Sequence, residues 1–78
     1  MNITLSKQAL KYLNKMDKKS QNILKTAITN LPKGSDIKYF KSSDAYRLRV
    51  GDFRILYHFL DNGDIHIDKA GPRGDIYK

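Results

Sequence analysis

The sequence predicts an α+β fold ordered β-α-α-β-β-β, a small antiparallel sheet with a helical hairpin packed on one face. Apolar residues recur at helical spacing through residues 9–31 and alternate at strand spacing through residues 46–67. The chain has 78 residues, room for one domain over residues 1–78 with a thin core. Its 40% hydrophobic content suits two packed layers.

Each element can be justified in turn. Asn2–Leu5 alternates like a short strand. Ser6 suits the N-cap of a helix whose stripe is Ala9, Leu10, Leu13 and Met16. Asp17 caps a second helix with Ile23, Leu24, Ala27, Ile28 and Leu31 as its stripe, and Pro32 and Gly34 stop it. Residues 35–44 are ambiguous, and Ile37, Tyr39 or Phe40 is expected to anchor them to the core.

The last third reads as a meander of strands whose registers can be worked out. Tyr46–Val50 and Phe53–Leu60 flank Gly51-Asp52, a two-residue loop with glycine first, as a type II′ turn requires. That loop pairs Val50 with Phe53, Leu48 with Ile55 and Tyr46 with Tyr57, giving one wholly apolar face. The other face then sets Arg49 against Arg54 and Arg47 against Leu56. At the next turn a two-residue Asn62-Gly63 loop would set Tyr57 against Asp68 and spoil the apolar face. A three-residue loop keeps it clean, pairing Phe59 with Ile65 and Tyr57 with Ile67. This register puts His58 opposite His66 and Arg54 opposite Ala70.

Composition excludes several classes of chemistry. There is no cysteine, hence no disulfide, thiolate nucleophile or thiolate zinc site. The start has no apolar signal-like core, and no apolar run of about 18 residues follows. The expectation is a soluble cytoplasmic protein that does not engage a membrane. Net charge is +7, all of it in residues 1–41, where nine lysines face Asp17 and Asp36; residues 42–78 sum to zero. The lysine-rich half either draws a polyanion by long-range forces or is a solvated helix face.

The arginines lie in the neutral half. Arg49 and Arg54 oppose each other across the hairpin, Arg47 projects from the same face, and Arg73 sits just past the strand that pairs with Arg54. Like charges directly opposed on a sheet cost on the order of 0.2–1 kcal/mol, so stability alone would favour an acid there. Arginine offers a planar fork of donors suited to phosphate. His58 and His66 invite three readings: surface residues, an RNA contact with one of them acting as a base, or metal ligands with Asp68.

YRLRVGDFRILYHF, Tyr46 to Phe59, followed by AGPRGDIY, Ala70 to Tyr77, resembles the RelE/ParE toxin superfamily, and its ending resembles the ribonuclease (RelE-like) branch. The helices match in order and length, so the resemblance spans essentially the whole chain and implies the fold read above. It implies the toxin of a toxin–antitoxin pair, an endoribonuclease without metal or cofactor that enters the ribosomal A site and cleaves mRNA. Arg47, Arg49, Arg54, Arg73 and Tyr77 fall on the family's catalytic positions, with Lys38, Lys41 and His58 as expected RNA contacts. The partners implied are a cognate acidic antitoxin, mRNA and the ribosome. The free toxin is expected to be a monomer and the toxin–antitoxin complex a higher-order assembly. Three departures affect the acid and base: Arg47 stands where lysine is common, Pro72 where many relatives have histidine, and Gly74 where a basic residue is common. The alternatives are a gyrase inhibitor on the same fold and a toxin that has lost activity.

Overall fold

The structure, a computed structural model, describes residues 2–34 and 36–72. Its elements are β1 (Ile3–Leu5), α1 (Lys7–Lys15), α2 (Lys18–Thr29), β2 (Ile37–Phe40), β3 (Ala45–Val50), β4 (Phe53–Phe59) and β5 (Ile65–Pro72). The strands form one sheet in the order β1-β5-β4-β3-β2. The α+β class and the helical hairpin are as expected. The sheet gains a strand, β2, from the ambiguous segment, and β1 runs parallel to β5, so the sheet is mixed rather than purely antiparallel. No helix among the described residues is long and apolar enough to cross a membrane.

Local chemistry sets the helix limits. Ser6 Oγ accepts from the Ala9 N–H at 3.1 Å, and Asp17 Oδ2 accepts from the Ser20 N–H at 3.1 Å. Hydrogen bonds from the Ser20 side chain and backbone hold the Asp17 carboxyl below the ordinary aspartate range. Helix α2 ends at Asn30, before Pro32, and Leu31 beyond the cap is buried. A Cβ on Gly34 would lie 2.8 Å from Ile37 Cδ1 and 3.0 Å from Leu48 Cδ1, so a larger residue there would have to displace the ends of both side chains.

Ala9, Leu13, Leu24 and Ile28 pack against Leu48, Ile55, Tyr57, Ile65, Ile67 and Ala70 to form the core. Two residues of the expected stripes stay out of it: Leu10 is 51% and Ile23 49% exposed. Each stripe is wider than the strip of sheet available to cover it. Leu10 instead lines an open groove with Ile3, Leu5, Leu13 and Ile28.

The β3–β4 hairpin has the expected register throughout, with Arg49 opposite Arg54 and Gly51 at φ +57°. In the β4–β5 hairpin Phe59, His58 and Tyr57 face Ile65, His66 and Ile67 as expected. The Leu60 N–H donates to the Asp64 carbonyl at 2.7 Å across a loop with Gly63 at φ +90°. Beyond Tyr57 the register slips by one residue. Asp68 is bulged, Leu56 faces Lys69, Ile55 faces Ala70, and Arg54 faces Gly71 rather than the expected Ala70. Unbroken alternation would have driven Lys69 into the core; the bulge sends Ala70 there instead.

Helix α1 clamps that bulge. The Ser6 N–H donates to the Ile67 carbonyl at 2.9 Å and the Ser6 hydroxyl to the Asp68 carbonyl at 2.7 Å. The Gln8 side-chain amide donates to the Ala70 carbonyl at 2.8 Å, and its oxygen accepts the Ala70 N–H at 2.9 Å. Where β1 ends, the start of α1 continues its hydrogen bonding to β5.

Candidate active site

Because Tyr46, Leu48, Ile55 and Tyr57 face the core, the alternate residues Arg47, Arg49, Arg54, Leu56 and His58 stand on the open face of the sheet. Lys38 joins them from β2, directly opposite Arg47, while Lys41 is exposed in the turn that follows β2. The structure thus gathers Arg47, Arg49, Arg54, Lys38 and His58 on one face and leaves Lys41 at its margin. Arg73 and Tyr77, like Gly74, lie outside the described residues; Pro72 ends β5 opposite Phe53.

An acid that sequence reading missed stands beside the arginines. Asp36 Oδ1 accepts from the Arg47 guanidinium at 2.7 Å, and Asp36 Oδ2 lies 3.9 Å from Arg49 Nε. The Arg49 N–H donates to the Asp36 carbonyl at 3.0 Å, fixing that position. Asp36 comes from the segment without a clear period, so only the pairing of β2 with β3 reveals its place. The Arg47 side chain is only 14% exposed, and its Nε is buried without a hydrogen-bond partner among the described residues. The Arg49 side chain is 47% exposed.

The two histidines meet as expected, ring centroids 5.6 Å apart. His66 Nδ1 lies 2.7 Å from the Thr4 hydroxyl on β1, and His58 Nδ1 lies 2.8 Å from Asp68 Oδ2. The bulge produces this second contact, turning Asp68 toward His58. Among the described residues no three His, Asp or Glu side chains converge as a metal-holding group.

The face as a whole can bind anions. Arginine forks satisfy phosphate oxygens in pairs, and the opposition of Arg49 and Arg54, unfavourable in isolation, is relieved when an anion sits between them. None of the arginines is a proton acceptor near neutral pH.

No protein-family model matches the chain. It is 39% identical over 85 residues to RelE1 of Methanocaldococcus jannaschii, provisionally named a toxin, covering 99% of this chain and 94% of the relative. A chain of the RelB–RelE antitoxin–toxin complex of Methanococcus jannaschii superposes with a TM-score of 0.71 at 25% identity, covering 95% of this chain and 94% of that one. The intact RelBE complex of E. coli gives 0.73 at 18%, covering 91% and 94%, and likewise shares the fold. The RelBE2 complex of Mycobacterium tuberculosis gives 0.71 at 16%, covering 92% and 96%. Identity sustained along nearly the full length of both chains, on the fold described above, shows that this chain belongs to the RelE toxin family.

Proposed function

We propose that the protein is the toxin of a toxin–antitoxin pair and an endoribonuclease that cleaves mRNA in the ribosomal A site. The observation that carries this reading is the open sheet face bearing Arg47, Arg49, Arg54 and Lys38 together. RNA supplies the nucleophile: its 2′-hydroxyl attacks the adjacent phosphorus and the 5′-oxygen leaves, giving a 2′,3′-cyclic phosphate and a 5′-hydroxyl. The arginines bind the phosphate and stabilise the charge that gathers on the phosphorane. Arg73 and Tyr77 are proposed to neutralise the leaving oxygen and to stack on a base. DNA lacks the 2′-hydroxyl and is not a substrate.

Electrostatic stabilisation alone leaves the substrate to be aligned. Holding RNA in near-attack geometry contributes roughly 7–11 kcal/mol, and the ribosome is the proposed source of that alignment. The charge of +7 calls for an acidic antitoxin. The RelB–RelE complexes among the structural neighbours support a partner of that kind.

Primer extension on programmed ribosomes, with analysis of the RNA ends, tests the reading. Ribosome-bound mRNA is expected to be cut to cyclic phosphate, and free RNA slowly or not at all, with or without EDTA. Arg54→Gln, folded by circular dichroism, is expected to abolish both cleavage and growth inhibition. Products with a 3′-hydroxyl, fast metal-dependent cleavage of free RNA, or inhibition of gyrase in place of cleavage would overturn it.

A further inference from the structure

Leu56 occupies an unusual place on the open face. Its cross-strand partners are Arg47 on β3 and Lys69 on β5, and its same-face neighbours along β4 are Arg54 and His58. Each same-face neighbour is two residues away, roughly 6–7 Å between Cα atoms. One partly buried leucine is therefore ringed by four basic side chains from three strands. An anion resting on Leu56 lies within reach of all of them, since long side chains span the diagonals of a sheet.

Only His58 among the four can take up a proton near neutral pH, and a carboxylate orients its ring. Asp68 Oδ2 sits 2.8 Å from His58 Nδ1. A carboxylate accepts and does not donate, so the contact places the ring proton on Nδ1 and leaves Nε2 as the base. The ring and the carboxylate are each 37% exposed, so a substrate can approach. As a surface ion pair this contact would contribute little stability. Its geometry nevertheless depends on a bulge held by Ser6 and Gln8 from a helix sixty-two residues away in sequence.

We propose that Leu56 floors the seat of the scissile phosphate and that His58, oriented by Asp68, is the general base for the attacking 2′-hydroxyl. The proposal rests on the ribonuclease reading and supplies the proton acceptor that the arginines cannot be. The 2′-hydroxyl proton passes to His58 Nε2 as the 2′-oxygen bonds to phosphorus. The bond from phosphorus to the 5′-oxygen breaks, the departing oxygen takes a proton from water, and the imidazolium returns its proton to solvent. Asp68 is a positioning residue. The charged and titratable groups around His58 are Asp68, His66 and Lys69 from β5, Arg47 from β3, Arg54 on its own strand, and Asp61 in the turn beyond. Thr4 on β1 bonds His66 rather than His58.

Single-turnover cleavage of ribosome-bound mRNA, measured from pH 5 to 9, tests the dyad. The wild type is expected to show a limb between about pH 5 and 8 along which the rate rises with pH. His58→Gln should lower the plateau by about 10²–10⁴-fold and abolish the limb, and added imidazole should partly restore His58→Ala. Asp68→Asn, which no longer fixes the ring proton on Nδ1, should lower the plateau while leaving the affinity for ribosome-bound mRNA unchanged. His66→Gln should retain the wild-type rate and limb. If His58→Gln does not fold, Asp68→Asn decides: a plateau at the wild-type value overturns the proposal. Cleavage that requires Arg54 but leaves His58→Gln at the wild-type rate and pH profile overturns the dyad alone. A wild type that does not cut ribosome-bound mRNA overturns the ribonuclease reading and the dyad with it.

Discussion

Asp36 gives the arginine face a built-in competitor for the phosphate proposed to bind there. It holds Arg47 at 2.7 Å and approaches Arg49, so an incoming phosphate must share these guanidinium groups with a carboxylate already present. A hydrogen bond to a charged group contributes about 1.5–3 kcal/mol; with Asp36 46% exposed, solvent reduces this to about 1 kcal/mol. Asp36→Asn is therefore expected to lower stability in urea by about that amount and to tighten binding of a short RNA by fluorescence anisotropy. Unchanged stability together with unchanged RNA affinity would make the pair incidental. Asp17 supports a prediction of a different kind. Its carboxyl is held low by Ser20, so its contribution is full above the unfolded aspartate value of about 3.9 and is lost as pH falls through the lower folded value. The melting-temperature gap between the wild type and Asp17→Ala should be constant above about pH 5 and narrow below about pH 4. Both helix caps and the arginine face were legible in the sequence because each follows from local spacing. Asp36 was not, because its partners are set by a strand that leaves no clear alternation.

The hairpin between β3 and β4 was legible to the residue because the Gly51-Asp52 turn and the apolar alternation specify the same register. The next hairpin was legible only as far as the pairing of Tyr57 with Ile67. Ile65, His66, Ile67 and Asp68 alternate, but Lys69 and Ala70 break the pattern, and that break was the available signal for a bulge. What stabilises the bulge is remote: Ser6 and Gln8 bond to backbone that only the parallel placement of β1 brings near them. Gln8→Ala would strip both partners from the fully buried Ala70 backbone. It should destabilise the protein by about 1–3 kcal/mol in urea, and the bulge should loosen with it. An unchanged unfolding midpoint would mean that the clamp is dispensable. The helical stripes were legible as stripes. Their full width was not a guide to burial, since Leu10 and Ile23 lie beyond what the sheet covers.

At the scale of the molecule, charge and core are organised separately. Lysines dominate the first half of the chain, and the structure carries Lys38 from that half onto the arginine face. Each phosphate neutralised on a single strand steepens the dependence of log K on log salt by about 0.7. Replacing Lys38 and Lys41 together by glutamine should therefore flatten the salt dependence of RNA binding by about 1.4, without altering where the RNA is cut. A slope unchanged within error would remove both lysines from the interface. The core tolerates little: Ile55 is fully buried at the centre of the sheet. Ile55→Ala is expected to cost about 2–5 kcal/mol, a large share of the 5–15 kcal/mol typical of a domain, readable as a fall in the urea midpoint. The parallel pairing of β1 with β5 also gives assembly a direction in time. Asn2 bonds Asp64, Thr4 bonds His66, Ser6 bonds Asp68 and Gln8 bonds Ala70, each across sixty-two residues. Closing so long a span is slow relative to forming a hairpin. The β3–β4 hairpin, which carries Arg47, Arg49 and Arg54, is therefore expected to pair before β1 docks on β5. The bulge that turns Asp68 toward His58 is then completed last, when Ser6 and Gln8 reach β5.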